Sequence, residues 1–66
     1  MQILLNGETY PLSKPLTLAE LLDQLELTGK RLAVEVNLAI VPRSQHEQHV
    51  LKAGDKVEIV HAIGGG

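Results

Sequence analysis

Three histidines, a pair of acids, a loop arginine and a terminal run of glycines are the residues whose types and spacing bear on chemistry. His46 and His49 stand three apart, and His61 is a candidate third metal ligand. No cysteine or clear carboxylate pair completes a metal set, so the histidines of this polar segment are read as solvated. Asp55 and Glu58 form a candidate acid pair, but the first falls in a turn and the second on a solvated strand. Glu20 reads as a helix cap rather than a general base. Arg43, after Pro42, reads as an exposed loop side chain. No Ser, His and Asp set suggests nucleophilic catalysis, and a chain this small leaves little room for a substrate pocket. The chain is therefore expected not to be an enzyme. Gly64-Gly65-Gly66 remains. In isolation a triple glycine reads as a linker remnant or a frayed end. Here it follows directly on a patterned domain, which directs attention to its terminal carboxylate.

Composition narrows the classes. The 66 residues allow one domain with one small core. Hydrophobic residues make up 44%, too many for a disordered chain, while aromatics are only 2%. The core must be aliphatic. Tyr10 stands alone, so no base-stacking platform is available. The net charge is −2, and Lys14, Lys30, Arg31, Arg43, Lys52 and Lys56 are scattered among acids. That excludes a basic stripe tracking a phosphate backbone, and no nucleic-acid partner is expected. The absence of cysteine excludes a disulfide framework and a thiol nucleophile, and fits a reducing compartment. The short apolar opening lacks a basic region and runs into a turn, so it is read as neither signal peptide nor membrane span.

These features need elements to position them. Asn6-Gly7 between residues 1–5 and 8–12 predicts a two-residue hairpin, because both central positions of a type I′ turn need positive φ. Pro11 cannot donate to a ladder, which puts the second strand at a sheet edge. Thr17 and Glu20 have capping-box spacing, and Leu16 and Leu21 that of a hydrophobic staple. Leu18, Leu21, Leu22 and Leu25 share one face of a helix expected over about residues 18–26, with Gly29 as terminator. Residues 32–37 read as a strand, and 39–41 as a short strand stopped by Pro42. Residues 43–49 show no period, and fit a loop or one helical turn. Residues 51–55 read as a turn and 56–63 as the last strand. The order predicts an α+β fold, a mixed sheet of four to five strands with one main helix on one face. With the last strand beside the first, this is the β-grasp, or ubiquitin-like, arrangement. The domain is expected over residues 1–63, with 64–66 as a flexible tail. Alternation turns Met1, Ile3, Leu5, Val57 and Ile59 toward the helix, and Leu4 and Val60 away from it. That apolar pair, in the middle of a solvated face, is a candidate docking patch.

Over its whole length the chain resembles the ThiS family, the sulfur carriers of thiamine biosynthesis. The resemblance is carried by residues 1–8, Thr17-Leu18-Ala19-Glu20-Leu21-Leu22, Val34-Glu35-Val36-Asn37, residues 40–44 and 51–60, and the closing Gly65-Gly66. Two departures are visible. Leu38 follows Asn37 where similar proteins often turn through glycine, and Gly64 adds a third glycine to the tail.

The resemblance implies that the Gly66 carboxylate is adenylated by a separate, ThiF-like enzyme that uses ATP. A sulfur donor such as a cysteine desulfurase then converts it to a thiocarboxylate, and thiazole synthase takes the sulfur. It also implies a cytoplasmic carrier, monomeric when free, with no bound cofactor and no membrane partner. Glycine suits this chemistry. Lacking Cβ, Gly65 and Gly64 let the backbone pass a narrow channel to an enclosed active site. Two alternatives share the fold. One is the small subunit of molybdopterin synthase, usually longer and richer in aromatics. The other is a ubiquitin-like tagging or binding module.

Overall fold

A computed structural model describes residues 1–61. The expected last residues of the final strand and the glycine tail lie outside the described residues. The elements, in chain order, are β1 (Gln2–Leu5), β2 (Glu8–Pro11), α1 (Leu18–Gln24), β3 (Leu32–Val36), β4 (Ala39–Ile40), a 3-10 turn (Arg43–Gln45) and β5 (Lys56–His61). The strands form one mixed sheet in the order β2-β1-β5-β3-β4. β5 runs parallel to β1 and antiparallel to β3, so the first and last strands are both interior, as expected.

Asn6 and Gly7 turn the β1–β2 hairpin with φ of 50° and 85°, the positive pair that a type I′ turn requires. Asn6 has a second task. Its N–H donates to the Val57 carbonyl at 2.8 Å, and its Oδ1 accepts from the Ile59 N–H at 2.8 Å. The side chain thus continues the parallel ladder just where β1 turns away. Pro11 closes β2 on the sheet edge, where its missing donor costs nothing. At the other edge Asn37 and Leu38 turn β3 into β4 with φ of 52° and 72°. Leu38 therefore occupies the left-handed conformation that glycine adopts without strain, at a cost of about 1 kcal/mol.

The start of α1 is fully satisfied. Thr17 and Glu20 form the reciprocal capping box, at 2.9 and 3.1 Å. The hydrogen bond from the Thr17 backbone, then those from its hydroxyl and the field of Lys14, hold the Glu20 carboxyl below its ordinary value. The next donors go to the segment that sequence left without a period: Leu18 N–H to the His49 carbonyl and Ala19 N–H to the His46 carbonyl. Residues 43–49 thus cap the helix from outside.

The helix ends two residues earlier than expected, and Gly29 is not its terminator. Glu26, at φ 61°, takes the left-handed position after the Leu25 cap. The Leu27 N–H reaches the Leu22 carbonyl and the Glu26 N–H the Asp23 carbonyl, which is a Schellman ending. Conformational preference favoured the glycine, but the packing of half-buried Leu27 against the core stops the helix first. A non-glycine residue in this conformation costs about 1 kcal/mol, so Glu26→Gly should stabilise the domain by several tenths of a kcal/mol to about 1. A denaturant midpoint at or below the parent's would contradict this ending.

The core is aliphatic. Ile3, Leu18, Leu21, Val34, Leu51 and Val57 are fully buried between helix and sheet. Leu51 was expected in a turn. It is instead held in the core by its N–H to the Leu16 carbonyl at 2.8 Å. The turn begins one residue later, where the Asp55 carboxylate accepts from the Lys52 N–H at 2.8 Å and from Asn37 Nδ2 at 3.0 Å.

Candidate functional site

β5 positions the site. Val57 and Ile59 anchor it in the core, while Lys56, Glu58 and Val60 face outward. β3 follows it to its last described residue, since Leu32 pairs with His61. Anything attached after His61 is therefore rooted in an interior strand. Gly64, Gly65 and Gly66 themselves lie outside the described residues.

Leu4 and Val60 both stand on the sheet face away from α1, as alternation predicts. Register does not bring them together. Leu4 lies beside Lys56, whereas Val60 lies beside Ala33. Four residue steps along β5, about 13 Å at strand rise, separate the two levels. Glu35 and Glu58 stand directly opposite each other between them. The expected central apolar pair is thus two spots divided by an acidic row. Leu4 is half-buried in a depression of about 240 Å³ with Gly7, Lys56 and Glu58. Val60 is 59% exposed near the root of the tail. Ile40, which sequence reasoning passed over, lies on the same face beside Glu35 and is 69% exposed. The two-residue length of β4 hid the alternation that assigns it a face.

The other candidates resolve into structural roles. His46 was expected to be solvated and is buried instead. Its Nε2 donates to the Val41 carbonyl at 2.9 Å, which fixes the proton on that nitrogen. Arg43 donates from Nη2 to the Lys30 carbonyl at 3.0 Å. Glu20 caps the helix, Asp55 closes its turn, and Glu58 is an exposed strand residue, as the sequence indicated. Among the described residues no group of three His, Asp or Glu is placed to hold a metal. No helix among them is long and apolar enough to cross a membrane.

Known proteins match this architecture. The model of the ThiS family matches residues 3–66. The chain belongs to the ThiS family. The sulfur carrier protein ThiS of Escherichia coli strain K12 is 38% identical over 66 residues, covering 100% of both chains. The crystal structure of the thiamine biosynthesis protein ThiS from Geobacter metallireducens superposes with a TM-score of 0.88 at 29% identity, again over 100% of both chains. The β-grasp expected from sequence is therefore the fold of this ThiS-family domain. A thiazole synthase of Paramagnetospirillum magneticum is 44% identical over 66 residues, and the chain spans 20% of that relative's length.

Proposed function

We propose that this chain is a sulfur carrier for thiazole formation in thiamine biosynthesis, with the Gly66 carboxylate as the sulfur-bearing group. The observation that carries the reading is the end-to-end match with the Escherichia coli sulfur carrier, whose aligned span covers all 66 residues. The rooting of β5 between β1 and β3 supports it, because a slender arm needs a rigid base.

The chemistry asks little of the chain's own side chains. A Gly66 carboxylate oxygen attacks the α-phosphorus of ATP on a ThiF-like partner, and pyrophosphate leaves. A sulfur nucleophile from a donor such as a cysteine desulfurase then attacks the carbonyl carbon, and AMP leaves. Hydrosulfide gives the thiocarboxylate directly, whereas a persulfide gives an acyl disulfide that a thiol must reduce. The ThiS-like region within the thiazole synthase of Paramagnetospirillum magneticum supports that enzyme class as the recipient. The chain is read as a cytoplasmic monomer when free, a substrate of its partners rather than a catalyst, with no bound cofactor. Intact mass after reaction with the adenylating enzyme, ATP and sulfide tests the reading.

The outward sheet face is the proposed docking surface. Val60→Glu and Leu4→Glu should each weaken binding to the adenylating enzyme by about ten-fold, because each places a charge on an apolar contact. Val60, nearer the tail root, should show the larger effect. Both side chains point away from the core, so the fold should survive. Unchanged affinity in a titration of the folded variants would remove this face from the account.

A further inference from the structure

A cavity of about 270 Å³ opens between α1, the loop that follows it and the 3-10 turn. Its apolar wall includes Leu22, Leu27 and Leu32, and its polar wall includes Lys30, Arg43 and His46. The walls are tied to one another. The Schellman ending fixes Leu27 against Leu22, and the Arg43 guanidinium spans to the Lys30 carbonyl at 3.0 Å. His46 is held through Nε2 by the Val41 carbonyl, which leaves Nδ1 as the ring's other polar atom. The cavity's charge runs against that of the chain. The whole chain carries −2, yet here Lys30 and Arg43 face a single acid, Glu47. Leu32 is also the register partner of His61, so the cavity adjoins the root of the tail.

We propose that this cavity receives a bulky apolar side chain flanked by a carboxylate, presented by the partner protein that takes the tail. The apolar wall matches the first group, and the Lys30 and Arg43 cations match the second. A partner enclosing the tail must also cover its root, which brings its surface over this cavity. The identity of the partner rests on the carrier reading, whereas the chemistry of the cavity does not.

The test titrates the isotope-labelled protein with two matched peptides, acetyl-Leu-Glu-Leu amide and acetyl-Leu-Gln-Leu amide, at low ionic strength. The glutamate peptide should shift the amide resonances of Leu27, Thr28, Lys30 and His46. It should bind about five-fold more tightly than the glutamine peptide. Lys30→Gln should cut that preference to about two-fold, since it removes one of the two charges but keeps the carbonyl that Arg43 binds. Equal affinities, or shifts confined to other surfaces, overturn the proposal. If deleting residues 64–66 itself shifts these amides and tightens peptide binding, the occupant is the chain's own tail and the proposal is likewise overturned. With the adenylating enzyme, Lys30→Gln should raise KM about five-fold rather than lower kcat. An unchanged KM overturns the assignment to that partner. The peptide titration needs neither tail chemistry nor enzyme, so its failure is distinct from failure of the carrier reading.

Discussion

Leu21→Asp is expected to leave the chain without a cooperative thermal melt. Leu21 is fully buried on the face of α1 that meets the sheet, among Ile3, Leu18, Val34 and Val57. Its side chain contributes about 2–3 kcal/mol by burial alone. An aspartate there forfeits that contribution and must bury a carboxylate or draw it out by breaking the helix packing, at a further cost of several kcal/mol. A domain of this size has a total stability of roughly 3–10 kcal/mol. The substitution therefore consumes most or all of it. Circular dichroism on heating is sufficient as a readout. A sharp transition near the parent temperature would mean that α1 packs through another face.

Gly65→Val should have the opposite profile, with full stability and lost reactivity. No described strand or core residue reaches past His61, so the melt is expected to be unchanged. The variant keeps the length and the terminal carboxylate. It adds a β-branched side chain where, in the proposed chemistry, the adenylating enzyme encloses the backbone closely, and it narrows the accessible backbone conformations. Adenylation should fall by at least about a hundred-fold, since small misplacement of a reacting group has effects of that order. A rate within a few-fold of the parent would show that the tail does not pass a narrow channel.

The fold was legible where one local rule met no competitor. Asn6-Gly7 had a single hairpin reading, and the Thr17–Glu20 box with its leucine spacing had a single helical reading. The end of the helix was less legible, because two signals competed. Gly29 is the better terminator by conformational preference, but Leu27 reaches the core only if the chain reverses at Glu26. Residues 43–49 contain the helical turn that was one of their two readings, but their role was illegible for a different reason. Their task is to offer the His46 and His49 carbonyls to the first donors of α1, and backbone carbonyls leave no mark on residue type. The burial of His46 follows from the same arrangement. Leu51 was concealed by its neighbours, Lys52 to Asp55, whose turn chemistry is strong.

The site divides in the same way. The faces of Leu4 and Val60 could be assigned from alternation. Their separation by Glu35 and Glu58 could not, because it depends on the register between β1 and β5, which no residue in either strand states. The cavity beside Lys30 and Arg43 was hidden more deeply still. It joins residues from the helix, a loop and a 3-10 turn, and only the tertiary fold brings those together.

The central claim is that sulfur is carried at Gly66. The most direct measurement is the intact mass, with fragmentation, of the parent chain and of a chain lacking Gly65 and Gly66. Each is incubated with the adenylating enzyme, ATP and sulfide. The account predicts exchange of one oxygen for one sulfur in the parent, confined to fragments that contain Gly66, and no exchange in the shortened chain, although it melts like the parent. Exchange that persists in the shortened chain, or sulfur found on any fragment lacking Gly66, would contradict it.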